Sequence, residues 1–145
     1  MGQFASGVTV VTTAVGDELQ GITVSSFASL SMEPMLVLIC IACDTTSHES
    51  IQQAGMFAVN MLTEEQEHLS QRFASRAVDK FVPGSYTISS SGLPLLNDVL
   101  ATIECRVVNV LPGGDHTIFV GEILRASVGH GRPLLYYGSR YHRLD

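Results

Sequence analysis

Two long β-prone runs, Leu100–Leu111 and His116–Val128, stand on either side of Pro112-Gly113-Gly114-Asp115, and no other feature constrains the chain as much. The Gly-Gly pair supplies the backbone freedom that a tight antiparallel reversal needs, so the second half is predicted to be built on one hairpin. A parallel sheet does not suit this pattern, because parallel neighbours need a long crossover, usually a helix, between strands.

The first half repeats the theme. Val8–Thr13 is dense in β-branched residues, and a second such run, Ile22–Ser26, follows across Gly16-Asp17, which predicts two strands joined by a turn. Met35–Ala42 is a continuous apolar run bounded by Pro34 and Asp44, short enough for a strand buried on both faces and so expected at the centre of the sheet. Met56–Leu62, the short Tyr86–Ser89 and Leu134–Tyr137 complete the predicted strands. Two helices interrupt them. Thr46-Ser47-His48-Glu49 has the pattern of a capping box, with Gly55 placed to end the helix. Thr63-Glu64-Glu65-Gln66 is a second box, ahead of Leu69 and Phe73 at i,i+4 spacing, in a helix that should end before Pro83. Many strands with two short inserted helices predict a mainly β, antiparallel, closed or partly closed barrel.

At 145 residues, 46% of them hydrophobic, the chain fits one core, so residues 1–145 are expected to form a single domain. Only 15% are charged, which suits a surface partly covered in an oligomer. Eight basic residues against fourteen acidic ones give a net charge of −6, without a Lys/Arg cluster, and this disfavours a nucleic-acid partner, so none is expected. No apolar run approaches the roughly 18 residues of a membrane helix, and the start has no basic stretch followed by an apolar one. No membrane association is therefore expected, and the cytoplasm is the expected compartment. Three cysteines in such a chain do not make a disulfide framework. Cys40-Ile-Ala-Cys43 has the spacing of a redox or zinc pair, but no second pair completes a metal site, so no metal centre is expected. Phosphate loops of the GxGxxG or GxxxxGKS type, the GxSxG elbow and HExxH are all absent from the sequence.

What remains is a set of hydroxyl clusters beside strand ends. Thr23-Val24-Ser25-Ser26-Phe27-Ala28-Ser29-Leu30-Ser31 reads as a loop that could hydrogen-bond the edge of a planar polar ring, or as an ordinary Ser-rich connection. Thr45-Thr46-Ser47 opens the first helix, where free N–H groups and the helix dipole favour a phosphate; simple capping is the other reading. Arg72, Arg76 and Lys80 recur every four residues, and Lys80 is the only lysine; they form either a phosphate clamp or a solvated helix face. His116 follows Asp115 at the hairpin, as a ligand donor or a structural histidine. Gly121, isolated in a strand, marks a close approach by a ligand or another backbone.

Taken in order, these segments resemble the short-chain flavin reductases, the reductase components of two-component flavin-dependent monooxygenases. The resemblance rests on Phe4-Ala5-Ser6-Gly7-Val8-Thr9-Val10-Val11-Thr12-Thr13, Gly21 to Ser31 with Pro34, Gly55 to Leu62, and Leu69-Ser70-Gln71-Arg72-Phe73-Ala74. Asp79-Lys80-Phe81, Gly114-Asp115-His116, Gly121-Glu122-Ile123 and Arg132-Pro133-Leu134-Leu135-Tyr136-Tyr137 continue it, so it covers almost the whole chain. It implies an FMN-binding split β-barrel, working as a homodimer with flavin near the subunit interface. By the same resemblance Val24, Ser25, Ser26 and Phe27, with Thr23 beside them, face the isoalloxazine ring, and Ser31 and Cys40 lie close by. Thr45, Thr46 and Ser47 meet the flavin phosphate, Lys80 and Phe81 complete that pocket, and His116 faces the nicotinamide nucleotide. The implied activity is reduction of FMN or FAD by NADH or NADPH, with reduced flavin diffusing to a separate oxygenase component. The alternatives are a flavin-binding electron carrier that leaves nicotinamide unoxidised and a carrier of apolar ligands.

Overall fold

The computed structural model describes residues 1–145. Its strands are β1 (Ser6–Gly7), β2 (Thr9–Val15), β3 (Glu18–Val24), β4 (Phe27–Met32), β5 (Met35–Ala42), β6 (Met56–Met61), β7 (Tyr86–Ile88), β8 (Pro94–Leu96), β9 (Ala101–Gly113), β10 (His116–Val128), β11 (Leu134–Tyr137) and β12 (Arg140–Arg143). The helices are α1 (Thr46–Ala54) and α2 (Glu67–Ala74), the second entered through a 3-10 turn at Glu64–Gln66.

Seven strands form one antiparallel sheet in the order β3-β2-β6-β9-β10-β5-β4. Its two edge strands, β3 and β4, are separated in sequence only by Ser25 and Ser26. Three Cα–Cα steps span at most about 11 Å, whereas seven flat strands at about 4.8 Å spacing would hold the edges far further apart. The sheet is therefore rolled into a barrel with a seam between β3 and β4. The barrel core gathers Val11, Ile39, Ile41, Phe57, Ile103 and Phe119, and α1 contributes Ile51 to it. A second apolar cluster lies outside the barrel wall, where Val8 and Val10 meet Leu69 and Phe73 of α2, with Leu96 and Leu134.

That second layer explains a departure from the sequence expectation. β5 is not central but second from an edge, and its burial alternates: Val37, Ile39 and Ile41 are buried, whereas Leu36, Leu38 and Cys40 are half-buried on the outer face. The strands buried on both faces are β2 and β6, because α2 and β8 cover the outer side that β5 leaves open. Two further expectations are corrected. The Ser-rich stretch after β3 is not all loop, since Phe27–Met32 forms the edge strand β4, with a register shift between Ser29 and Ser31. The first helix is capped by Thr45 rather than Thr46: the Thr45 hydroxyl accepts the His48 N–H at 3.2 Å and donates to Ala42 O at 2.8 Å. Gly55 ends that helix in the left-handed region, as expected, at φ 69°. In the second box the Gln66 side chain accepts the Thr63 N–H at 3.0 Å.

Gly121 also has a different reason from the one inferred. A Cβ there would stand 2.6 Å from Phe57 Cζ and 2.8 Å from Cys105 Cβ, so the glycine makes room for the barrel core and not for a ligand. The three thiols are free and differ in access: Cys43 is exposed, Cys40 half-buried and Cys105 buried. Burial, with the Glu104 carboxylate beside it, pushes the Cys105 thiol up to about 12. Because the thiolate is the reactive species, a maleimide time course should modify Cys43 first and Cys40 more slowly. Cys105 should react only after unfolding; early labelling of Cys105 by peptide mass would contradict this packing.

Candidate functional site

One groove of about 640 Å³ runs between the start of α1 and the segment that follows α2. It brings together Thr45, Thr46, Ser47, Lys80 and Phe81, five of the residues singled out in the sequence. The start of α1 enters it for a local reason. Thr45 serves the His48 N–H, which leaves the Thr46 and Ser47 N–H groups without an intrahelical acceptor at the positive end of the helix dipole.

Lys80 reaches the groove from the opposite wall. Its Nζ donates to Phe73 O at 3.2 Å, a carbonyl of the last turn of α2, where a cation is favoured. An ammonium has three donors, so two remain for a ligand. Partial burial holds the Lys80 pKa below that of an ordinary lysine. Phe81 stands edge-on to Phe73 and Tyr86, with ring centroids 5.1 and 5.4 Å away, and fixes the segment that carries Lys80. Gly21 permits this packing, since a Cβ there would lie 2.6 Å from Phe73 and 3.2 Å from Phe81. Sequence reasoning missed Gln20 and Asp44 in the groove wall. Arg76 was noticed, but for a shared helix face that does not exist. α2 ends at Ala74, so Arg76 and Lys80 line the groove while Arg72 lines a different, polar cavity of about 690 Å³.

The remaining residues divide into three sets. Ser25 and Phe27 line a smaller, mostly apolar cavity of about 330 Å³, together with Phe4 to Thr9 and Leu134. Ser26 and Cys40 are joined across the edge of the sheet: Cys40 N–H donates to Ser26 O at 3.2 Å and Ser26 Oγ donates to Cys40 O at 3.1 Å. His116 lies opposite Ala42 and Ile118 opposite Cys40. Their neighbours Thr117, Phe119, Ile39 and Ile41 are buried inward. Alternation therefore puts His116 and Cys40 on the outer face. His116 is exposed, and its Nδ1 lies 2.8 Å from Asp115 Oδ1, a bond that lowers the Asp115 carboxyl pKa.

Three of the singled-out residues are occupied by the fold or stand apart. The Thr23 hydroxyl donates to Ser70 O of α2 at 2.6 Å, and the Val24 side chain is in the barrel core with its carbonyl accepting from Thr9 Oγ1 at 2.6 Å. These two hold the base of the seam and offer no free side-chain group to a ring. Ser31 pairs with Leu36, four positions along β5 from Cys40 or roughly 13 Å, and does not join either group.

The fold is thus an antiparallel split barrel with a groove at one end, lined by the start of α1, Arg76 and Lys80. The flavin reductase like domain matches residues 1–145, and the chain belongs to that family. The reductase subunit HsaB of a flavin-dependent monooxygenase from Rhodococcus jostii (strain RHA1) is 42% identical over 97% of this chain and 73% of its own length. FMN reductase (NADH) SmoA of Agrobacterium fabrum (strain C58) is 40% identical over 100% of this chain and 83% of its own. The NADH:FAD oxidoreductase SgcE6 of Streptomyces globisporus C-1027, solved with NAD and FAD fragments, matches with a TM-score of 0.95 at 38% identity, covering 99% of this chain and 88% of that one.

Proposed function

We propose that residues 1–145 act as one flavin reductase-like domain that oxidises NADH or NADPH and reduces FMN or FAD. The reduced flavin leaves by diffusion to a separate flavin-dependent oxygenase. The observation that carries this reading is the groove, in a chain of this family. Its donor set fits a phosphate monoester or diester: two free N–H groups at a helix start, the Lys80 ammonium and the Arg76 guanidinium, against the single acid Asp44.

Bound flavin supplies N5 as the acceptor of a hydride from C4 of the reduced nicotinamide. The chain's own part is to hold and orient. Thr45, Thr46, Ser47 and Lys80 anchor the phosphate, with Phe81 fixing the lysine segment. Ser25 and Phe27 face the ring, Ser26, tied to Cys40 by two hydrogen bonds, holds the edge between them, and His116 meets the nicotinamide nucleotide. Because no side chain transfers a proton in the hydride step, rate depends on approach and alignment. Replacing His116 with Ala should raise KM for the nicotinamide nucleotide several-fold and leave the flavin Kd unchanged; unaltered steady-state kinetics would remove His116 from the site.

The active unit is a homodimer working in the cytoplasm. Support comes from exposed apolar side chains on β4, β5 and the tip of the β9–β10 hairpin, among them Leu30, Met32, Met35 and Leu111. Such a surface is one that a second copy would cover. No helix is long and apolar enough to cross a membrane. The deciding experiment follows loss of reduced-nicotinamide absorbance in air with FMN, FAD or no added flavin, and NADH and NADPH in parallel. Flavin-dependent oxidation supports the reductase; flavin binding without oxidation would favour the electron carrier instead.

A further inference from the structure

His48 was not among the residues singled out for the site, yet its side chain bridges the site's two ends. It sits in the first turn of α1, half-buried, with its ring 5.4 Å from that of Phe119. Its Nε2 lies 2.7 Å from Thr117 Oγ1, and Thr117 is buried at the start of β10, one residue after His116. The same hydroxyl lies 3.5 Å from Cys43 Sγ, and the Cys43 N–H donates to Asp115 O at 2.9 Å. The corner that carries Thr45, Thr46 and Ser47 is therefore tied to the strand start that carries His116. His48–Thr117 is the side-chain bond that links α1 itself to that strand start.

We infer that His48 is a positioning residue for the reductase reaction, acting through Thr117 to hold the nicotinamide end of the site at a fixed distance from the phosphate end. The inference rests on the proposed reductase function. The physical reason is that a flavin anchored by its phosphate has its ring placed by that anchor, while the nicotinamide is placed from β10. Hydride transfer needs reacting atoms about 3–3.5 Å apart, and a 1 Å misplacement can cost about a hundredfold in rate. Thr45, and not the His48 side chain, caps α1. Loss of the His48 ring should thus leave the phosphate anchor in place while loosening its relation to His116.

The test compares His48→Leu, His48→Gln, Thr117→Val and Thr117→Ser with the wild-type dimer, measuring FMN Kd by flavin fluorescence, kcat, the nicotinamide KM and Tm. His48→Leu and Thr117→Val should each lower kcat/KM for the nicotinamide about tenfold and keep the FMN Kd within about twofold. His48→Gln, whose amide reaches the Nε2 position, and Thr117→Ser should restore most of the loss. The double variant His48→Leu/Thr117→Val should be no worse than Thr117→Val alone, since both single changes break the same His48–Thr117 bond. If His48→Leu does not fold, the Thr117 pair carries the same comparison. Unchanged kinetics, losses that multiply in the double variant, or a loss that follows Tm and is not rescued by Gln would overturn the inference. A wild-type chain without flavin-dependent oxidation would sink the reductase reading and this inference together, whereas an active wild type with indifferent variants would sink this inference alone.

Discussion

Replacing Lys80 with Met should weaken FMN binding by about one to two orders of magnitude, because a hydrogen bond to a charged group is worth about 1.5–3 kcal/mol. The methionine keeps most of the aliphatic stem, so Phe81 should stay packed on Phe73 and the loss should report the ammonium. Riboflavin, which has the ring but no phosphate, provides the control. Its affinity should change little, and the preference of the wild type for FMN over riboflavin should collapse in the variant. Equal losses for both ligands would instead mean that the substitution disturbs the groove wall. The charge also gives a sign for pH. Lys80 binds anions only while protonated, and burial lowers its pKa. FMN affinity of the wild type should therefore begin to fall, as pH rises, at a lower pH than an ordinary lysine would cause. This fall should be missing in the variant when Kd is followed across the alkaline range.

The second large effect concerns stability. Gly121→Ala should destabilise the domain by about 3 kcal/mol, the upper end for an overpacked core, and lower Tm by about 10 °C. Its added methyl would enter between Phe57 and Cys105, both fully buried, at distances of 2.6 and 2.8 Å. Neither neighbour has space to retreat, since Phe57 Cζ is inside the barrel and Cys105 Cβ is fixed to the β9 backbone. Phe57→Leu in the same chain should recover part of the loss, because it removes one of the two clashes. A Tm within 2 °C of wild type, by calorimetry, would show that β10 can shift at the break in its register with β9 between Val120 and Gly121, and that the glycine is dispensable.

The strand pattern was legible because it depends on local signals. The Gly-Gly reversal, the β-branched runs and the two helix starts are each decided within a few residues, and His116–Val128 and Met35–Ala42 match the observed strands end to end. What failed were inferences about layers. Nothing in Met35–Ala42 says that its outer face lacks a cover while that of β2 has one; this depends on where α2 lands, far along the chain. The serine-rich edge strand β4 was missed for a related reason, since its pairing comes from β5 and not from its own propensity. In the site, the groove formed by Thr45, Thr46, Ser47, Lys80 and Phe81 became visible only through family resemblance, because local sequence cannot distinguish a phosphate anchor from a helix cap. Thr23 and Val24 sit at the expected place in the chain, yet their side chains are used by α2 and the core. His48 carried no sequence signal at all, as its role depends on a partner 69 residues away.

The seam between β3 and β4 has a consequence for how the protein stays separate in a crowded solution. Each seam strand has a row of backbone donors and acceptors without a sheet partner, the kind of template onto which stray strands and other barrels polymerise. Each is blunted differently. β3 is overlaid by α2, with Thr23 fastened to Ser70 O, and β4 breaks its own register between Ser29 and Ser31 just before Pro34 interrupts the chain. Growth by edge-to-edge addition is thus obstructed on both sides, which leaves contact through sheet faces as the open route to self-association and keeps the barrel's split from becoming a nucleus for fibres.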